Sequence, residues 1–481
     1  MLQKLIKIAA LVWILVIFVK LPSYVWDAGV VIPWFVKNGL DFYKNFDGGA
    51  YLPLPRLLII PVSQIFNSDI RLTVFLAYVQ ELVAAFFIYK ISRRFLSSAG
   101  TAVAVLFYVL WFPYILQQNA FDISLLLGIV LLLMFSEFML WTKDQKKSRL
   151  VRQGFLASVG IFSQQMYALP AFLFFVYHAL FLKTRKKLKS LLREVVLPFL
   201  LGCVPIAVGV ISYFLIKGSL YEFVDSTILY YLDKSRYPSL EFYFSSRDLT
   251  MLFFLSTPLL ILATDMLSGL KKSLKDLVRS SFFIIILSVT VSVFFAVFHP
   301  RRFLYFLPAL SFLGGMVFDN FKKFKKWVRV AALAASFSLL LYFITTAAPW
   351  YSQAFRKEVS TSYGLSQPGD YVNMAVIWIR ENSSQDAKIH VFGPMLLYYE
   401  TQRLPANKKT YSALPWTYEP FEETKILFTK NPADYWLVDE RLFTRFVNWG
   451  YGYQADFIRD LLDNKYDRVQ SYDWMSVYKL K

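Results

Sequence analysis

Two carboxylates stand near predicted membrane boundaries, where they could take part in acid–base chemistry. Asp27 follows the first long apolar run by a few residues, and Asp122 stands at the start of a later one. A carboxylate at a membrane surface is partly desolvated, so it can serve as a general base or a metal ligand. Periodicity alone also allows structural roles: a helix cap or interfacial ion pair for Asp27, and a helix cap, the favoured reading, for Asp122.

A pair of arginines, Arg301 and Arg302, opens a late apolar segment. In the orientation derived below they lie on the outer side of the membrane, where basic residues are disfavoured. Guanidinium groups bind phosphate through two parallel hydrogen bonds, whereas snorkelling toward lipid headgroups accounts for at least one of the two. Two carboxylates and an arginine at one membrane surface suit a phosphorylated lipid whose head group is attacked.

The composition predicts a polytopic α-helical membrane protein to position these residues. Of 481 residues, 57% are hydrophobic and only 18% are charged, which is more apolar surface than soluble cores of this size would bury. A helix needs about 20 residues to cross a bilayer. We predict eleven segments of about that order, of which the fifth and sixth are short enough to form a partial hairpin: 5–20, 68–89, 99–117, 122–141, 154–165, 167–182, 195–216, 249–265, 281–298, 303–318 and 329–347.

Basic residues predict the orientation of these segments. With the N-terminus inside, the short cytoplasmic segments carry 25 lysines and arginines, against 11 in the longer loops of the opposite side before the tail. The positive-inside rule therefore places the N-terminus in the cytoplasm and the long loops outside a cell membrane. The tail from Pro349 has 16 basic and 16 acidic residues, so the net charge of +19 is a topology signal and a nucleic-acid partner is disfavoured. The single cysteine, Cys203, excludes an intramolecular disulfide.

The distribution of non-membrane sequence predicts two domains. Residues 1–347 would form the membrane domain, with extracytoplasmic loops at 21–67 and 217–248. Residues 348–481 alternate helix-like and strand-like patterns, which is typical of a small α/β domain. We expect this domain to be extracytoplasmic.

At these residues the sequence resembles the GT-C superfamily of membrane glycosyltransferases, which includes dolichyl-phosphate-mannose protein mannosyltransferases and bacterial aminoarabinose transferases. The resemblance extends in order along nearly the whole chain, through short, degenerate motifs. Its residues are Asp27, Gly39, Tyr43, Asp47, Pro53 and Pro55 in the first loop, Asp122 at the second turn, Arg302–Pro308 at a late helix, and Tyr399, Arg403 and Pro405 in the tail.

The resemblance implies a polyprenyl-phosphate-linked sugar as donor, inversion at the anomeric carbon, and Asp27 as the base that activates the acceptor. It implies Asp122 as a second site carboxylate and Arg301 or Arg302 as the clamp on the donor phosphate. Many relatives carry Asp-Glu where this chain has Asp27-Ala28, so the role of that second carboxylate has no counterpart at this position. Candidate substrate-binding residues are Asp47, Tyr43, Glu222, Arg236, Tyr399 and Arg403.

The cofactor and the partners are only partly defined by this resemblance. Some branches use a divalent metal, Mg²⁺ or Mn²⁺, and others use none; Asp27 and Asp122 would be its ligands. The acceptor is a glycan, a lipid or a protein, and the lipid bilayer is the surrounding medium.

Two other classes of protein compete with this interpretation. A lipid-linked oligosaccharide flippase or other transporter would need a polar path through the bilayer, and the candidates within the spans are few: Glu81, Glu137 and His178. A structural scaffold that displays the α/β domain would not need acids and arginines gathered at one interface. The glycosyltransferase reading is therefore favoured.

Overall fold

The computed structural model describes most of the chain: residues 2–21, 23–24, 27–46, 53–66, 70–116, 119–120, 126–164, 167–183, 191–229, 253–268, 304–356, 370–408, 410, 421–448 and 452–481. The chain divides into two compact units. The first comprises residues 1–23, 75–209 and 242–360, and the second comprises residues 24–74, 210–241 and 361–481. The predicted domain division at residues 347 and 348 stays a prediction.

Helices account for most of the described residues. In chain order they are α1 (Leu2–Lys20), α2 (Asp27–Lys37), α3 (Leu54–Ile65), α4 (Ile70–Ser92), α5 (Ser98–Leu116), α6 (Leu127–Asp144), α7 (Lys147–Ile161), α8 (Ala168–Lys183), α9 (Leu197–Ile216), α10 (Leu220–Val224), α11 (Thr257–Ser268), α12 (Leu307–Asn320), α13 (Lys326–Tyr342), α14 (Ala348–Phe355), α15 (Asp370–Asn382), α16 (Leu396–Thr401), α17 (Phe421–Lys430), α18 (Arg441–Asn448) and α19 (Gly452–Lys465). Short π-helical turns precede α9, follow α10 and join α13 to α14.

Four helices in the described part of the chain are long and apolar enough to cross a membrane: Phe75–Ser92, Ser98–Leu116, Leu192–Ile216 and Lys326–Phe355. Helices also occur at the other predicted segments, except that segment 281–298 lies outside the described residues. The predicted count of eleven crossings therefore stays a prediction. Because apolar runs specify helices locally, the helix positions agree with hydropathy even where a helix is short.

Small residues allow close helix packing in the first unit. A Cβ on Gly315 of α12 would overlap the carbonyl oxygen of Gly100 in α5. In the same way, a Cβ on Gly154 of α7 would overlap the carbonyl oxygen of Phe199 in α9. Such contacts are typical of membrane helices, where the absence of a side chain lets two backbones approach. Large aromatic side chains fill the remaining space, among them Tyr108, Phe135 and Trp141.

The second unit contains a four-stranded mixed sheet. Its strands are β3 (Ile389–Phe392), β4 (Tyr435–Asp439), β5 (Tyr466–Tyr472) and β6 (Met475–Leu480), following the two-residue strands β1 (Ser23–Tyr24) and β2 (Asn119–Ala120) nearer the N-terminus. The order is β3-β4-β6-β5. β3 and β4 are parallel, with Ile389 opposite Tyr435, and β6 is antiparallel to both β4 and β5.

The sheet and its helices share a core. Every residue of β3 and β4 is buried, as expected of strands covered on both faces. Phe392, Trp436, Phe443 and Ile458 pack together with neighbouring side chains of α17, α18 and α19. The parallel pair ends where the chain turns through Gly393 into α16, so the carboxyl end of β3 leads directly to the site described next.

Candidate active site

Asp27 is the first residue of α2, and its side chain is half-buried. The next eight residues of the helix, 28–35, are buried. The helix ends at Lys37, and Gly39 follows in a left-handed conformation, φ of 83°, that glycine adopts without steric cost. The N–H of Leu40 donates to the carbonyl oxygen of Phe35 across that turn, at 3.0 Å. The short helix therefore holds Asp27 at a defined place.

The tail supplies a hydrogen bond to this carboxylate. The backbone N–H of Leu396 donates to Oδ2 of Asp27 at 3.4 Å, although 369 residues separate the two in sequence. Leu396 is the first residue of α16, and α16 packs against α2 within the second unit. The two helices thus meet at their N-terminal ends.

Burial changes the acidity of Asp27. Removal from water raises its pKa from 3.8 to about 7, against the lowering effect of the backbone N–H groups of Leu396, Asp27 itself and Met395. Desolvation raises a carboxyl pKa because it penalises the charged form, and N–H donors stabilise that form. A carboxyl group that titrates near neutral pH is well matched to accept a proton from a hydroxyl group.

Aromatic contacts hold α16 against α2. Tyr398 packs edge-on against Phe35 with ring centroids 5.5 Å apart, and Tyr399 packs edge-on against Trp34 at 6.1 Å. Tyr398 is fully buried, and its hydroxyl oxygen accepts the backbone N–H of Val391 in β3 at 3.1 Å. Tyr399, the candidate named from sequence, is half-buried beside α2.

Tyr43 lies in an aromatic cluster that joins the first loop to the second. Its backbone is left-handed, with φ of 66°, and its side chain is buried. Its ring lies 5.5 Å from the ring of Phe214 and 5.9 Å from that of Phe223, measured between centroids. Beside the cluster, Lys217 Nζ forms an ion pair with Asp41 Oδ1 at 2.9 Å. The structure thus places the Tyr43 ring among packing contacts.

The Arg403 side chain forms four hydrogen bonds within the tail. Its Nε and Nη2 donate to the side chain and the carbonyl oxygen of Ser383, at 3.1 and 2.9 Å. Its Nη1 donates to the carbonyl oxygens of Thr401 and Gln402 at the end of α16, at 3.2 and 3.3 Å. These bonds favour a structural role for Arg403, which joins α16 to the end of α15.

The structure describes only some of the predicted site residues. Glu222 lies half-buried in α10, in the second unit. The others are outside the described residues, and their roles stay predictions: Asp122, Arg301, Arg302, Asp47 and Arg236.

The described residues contain no cluster of three or more His, Cys, Asp or Glu side chains that could hold a metal ion. Asp122, the predicted partner of Asp27 in a metal site, is outside those residues. The use of a divalent metal ion by Asp27 and Asp122 therefore stays a prediction.

Sequence reasoning did not identify Leu396, Met395 or Tyr398. The first two act through backbone N–H groups, which every residue except proline carries, so the residue type does not identify them. Tyr398 stands beside the predicted Tyr399, and helical geometry in a six-residue segment does not show which tyrosine faces the core.

The three ionisable candidates for a transport path, Glu81, Glu137 and His178, lie in the first unit, and two of them have side-chain partners. Glu137 Oε2 pairs with Arg149 Nη1 at 3.1 Å and with Arg152 Nε at 3.2 Å. His178 is buried, and its Nε2 forms a hydrogen bond with the side-chain oxygen of Gln153. Glu81 is also buried, in α4. The pairs of Glu137 and His178 tie α6, α7 and α8 together.

Comparisons with known proteins agree on one fold. A family model described as dolichyl-phosphate-mannose-protein mannosyltransferase matches residues 52–213. A search of curated protein sequences finds no match. The matched region begins next to α3 and ends near the C-terminal end of α9.

Two solved structures share this fold over nearly the whole chain. ArnT from Cupriavidus metallidurans, solved bound to undecaprenyl phosphate, has a TM-score of 0.55 and 14% identity, covering 98% of this chain and 97% of its own. The oligosaccharyltransferase AglB from Archaeoglobus fulgidus, solved with an inhibitory peptide and a dolichol-phosphate, has a TM-score of 0.53 and 12% identity, covering 100% of this chain and 74% of its own. The chain is accordingly a multi-pass helical membrane protein, and the family model and the shared fold confirm its resemblance to the GT-C superfamily of membrane glycosyltransferases.

Proposed function

We propose that this protein is an integral-membrane glycosyltransferase that moves a sugar from a polyprenyl-phosphate donor to an acceptor on the extracytoplasmic face. The observation that carries the proposal is Asp27, a half-buried carboxyl group with a pKa of about 7 at the start of the first-loop helix. Its position corresponds to the acidic residue that the GT-C resemblance assigns as the base. Burial and fold therefore support the same role.

The proposed reaction is a single inverting displacement. The acceptor hydroxyl oxygen attacks the anomeric carbon of the donor sugar, and its proton passes to the carboxylate of Asp27. The bond between the anomeric carbon and the phosphate oxygen breaks, and polyprenyl phosphate leaves with the bonding electrons. The base makes the hydroxyl a better nucleophile, while stabilisation of the leaving phosphate lowers the same barrier.

Two further groups complete the proposed site. Arg301 and Arg302 would bind the leaving phosphate, because a guanidinium group matches phosphate geometry with paired hydrogen bonds. Asp122 would be the second carboxylate. If the enzyme uses Mg²⁺ or Mn²⁺, Asp27 and Asp122 would hold it, and the metal would supply positive charge to the phosphate.

The donor class has support from the neighbours of similar fold. ArnT was solved with undecaprenyl phosphate and AglB with a dolichol-phosphate, both of them polyprenyl monophosphates. The chemistry proposed here also lies on the face away from the cytoplasm, where nucleotide sugars are scarce. A donor held in the bilayer by its prenyl chain would bring its phosphate to the level of the interface, since each buried CH₂ contributes about 0.8 kcal/mol.

A transfer assay tests the proposal. Purified protein in lipid nanodiscs is offered a panel of polyprenyl-phosphate sugars and, separately, UDP- and GDP-sugars, with glycan, lipid and peptide acceptors. We expect transfer from at least one lipid-linked donor and none from the nucleotide sugars. Efficient turnover of a nucleotide sugar in the absence of polyprenyl phosphate would contradict the proposal.

Asp41→Asn is a matched control for Asp27→Asn in the same assay. Both are first-loop aspartates in the second unit, but Asp41 is paired with Lys217 and has no proposed part in the reaction. We expect transfer by Asp41→Asn within about twofold of wild type, because a partly exposed ion pair contributes little. A flippase would instead move the lipid-linked sugar between leaflets without any bond being broken, so it would give no transfer product in this assay with any donor.

A further inference from the structure

The first turn of α16 contacts Asp27, although 369 residues separate Leu396 from Asp27 in the sequence. Leu396 donates its backbone N–H to Oδ2, and Met395 contributes a second backbone donor to the same carboxyl group. A hydrogen bond to one oxygen restricts rotation of the whole carboxylate. The orientation of Asp27 therefore depends on where α16 is held.

We infer that α16 is a positioning element for Asp27, an inference that rests on the proposed role of Asp27 as base. In this scheme Tyr398 is the positioning residue: its hydroxyl fixes α16 to β3 and its ring fixes α16 to α2. The tail would then be an integral part of the active site, which the catalytic carboxylate needs for its alignment.

The contacts of Tyr398 are suited to this role. It is the third residue of α16, within one turn of Leu396, so a shift at Tyr398 moves the N–H that reaches Asp27. It touches β3 through the N–H of Val391 and α2 through the ring of Phe35, which lies on the helix that begins with Asp27. One buried side chain thus links three elements of the second unit.

The other end of α16 is also fixed. Arg403 donates to the carbonyl oxygens of Thr401 and Gln402, where the helix ends in the left-handed conformation of Gln402, with φ of 56°. Terminal carbonyl groups of a helix lack partners within it, so a guanidinium group here secures the last turn. With both ends held, the six-residue helix has little freedom to move along α2.

Tyr398→Phe is the first test. It keeps the ring against Phe35 and removes the acceptor for the Val391 N–H. We expect kcat to fall about tenfold, because small misplacements of a catalytic group are costly, while KM for donor and acceptor stays within about twofold. A selective loss in kcat separates positioning from substrate binding.

Tyr435→Phe is the matched control for Tyr398→Phe. Tyr435 is a buried tail tyrosine in β4 whose hydroxyl donates to the carbonyl oxygen of Asn382 at 3.0 Å. It loses the same kind of hydrogen bond in a part of the tail that does not contact Asp27. We expect its thermal unfolding to change as in Tyr398→Phe and its kcat to stay near wild type. Equal kcat values for the two variants would overturn the inference.

A second pair of variants tests the N–H itself. Replacing Leu396 by the α-hydroxy acid of leucine substitutes an ester oxygen for the N–H and keeps both the side chain and the αR backbone of Met395, which a proline at position 396 would disfavour. Leu396→Ala shortens the side chain but keeps the donor. We expect a kcat loss of about tenfold or more in the ester variant relative to the alanine variant. This comparison decides the matter if Tyr398→Phe fails to fold, and equal kcat values here would also overturn the inference. If Asp27→Asn itself retained transfer, the proposed function would fail instead.

Discussion

Asp27 and Glu137 are partly or largely buried carboxyl groups, one in each unit, and they differ in what surrounds them. Glu137 is held between two guanidinium groups, those of Arg149 and Arg152, at 3.1 and 3.2 Å. Asp27 forms no ion pair with another described residue and is contacted by backbone N–H groups of α16. The first carboxylate is paired with two arginines, and the second is held by backbone donors while burial raises its pKa.

The difference separates a structural carboxylate from a candidate base. The Glu137 carboxylate joins α6 to α7 through its two ion pairs. The Asp27 carboxyl group forms no such pair with a described residue, and desolvation raises its pKa to about 7. Position relative to the apolar runs does not make this distinction, although Glu137 lies within one run and Asp27 follows another, because it does not show which groups contact each carboxylate. The partners of each carboxylate, which are set by the fold, do make it.

Asp27→Asn should have the largest effect on the reaction. The amide is almost the same size but cannot accept the proton, so transfer should fall by about 10²- to 10⁴-fold. Expression and thermal stability at pH 8 should be at least those of wild type, since the amide removes a carboxylate whose burial is unfavourable. Near-wild-type turnover in a quantitative transfer assay would show that Asp27 is not the base. Asp27 and Glu137 would then no longer differ in function.

Arg301→Ala and Arg302→Ala should come next. If these arginines bind the donor phosphate, at least one alanine variant should lose about 10²-fold in kcat/KM for the lipid donor. The lysine variant at that position should recover only part of the loss, because a point charge does not reproduce paired hydrogen bonds to phosphate. Full recovery by lysine would indicate contact with lipid headgroups. The donor phosphate would then have no proposed arginine ligand.

The pH dependence of the rate should report the acidity of Asp27. The base acts in its ionised form, so kcat/KM should rise about tenfold per pH unit below pH 7 and level off above it. The contribution of Asp27 to folding stability should run the other way, decreasing as pH rises from 3.8 to about 7, because the folded state holds the proton more tightly than the unfolded chain. A rate that is flat between pH 5.5 and 8 would contradict the assignment.

Glu137→Gln should affect stability and spare the reaction. It leaves two arginines without their shared carboxylate, at a cost of about 1–2 kcal/mol, since the arginines are partly exposed to solvent. The midpoint of thermal unfolding should fall, and kcat for the remaining folded protein should be unchanged. A loss of kcat comparable with that of Asp27→Asn would show that the two carboxylates share a function.

Labelling of intact cells tests the predicted orientation of the chain in the membrane. After Cys203 is replaced, a membrane-impermeant thiol reagent should modify a Ser412→Cys variant in the tail but not Ser148→Cys, which lies beside Arg149. Neither substitution should change the transfer rate. The reverse labelling pattern would place Asp27 on the cytoplasmic side and invert the topology.

The amino-acid sequence by itself determined the membrane character and the positions of most helices. Hydropathy is a local property: a run such as Ser98–Leu116 has no better option in a bilayer than to satisfy its backbone hydrogen bonds within a helix. Turn chemistry is equally local, as at Gly39, whose left-handed backbone follows the end of α2. The choice of Asp27 as the candidate base also came from sequence, through its place after the first apolar run and the GT-C resemblance.

Only the tertiary structure decided what each candidate side chain touches. The partner of Asp27 is a backbone group 369 residues away, and backbone N–H groups are the same at every residue except proline. Arg403 and Tyr43 are candidates for substrate contact through the GT-C resemblance, and that role stays a prediction. The structure shows that the Arg403 guanidinium is bonded to Ser383 and the end of α16, and that the Tyr43 ring packs against Phe214 and Phe223. Long-range packing sets these contacts, because burial and hydrogen bonding depend on elements that local sequence does not specify.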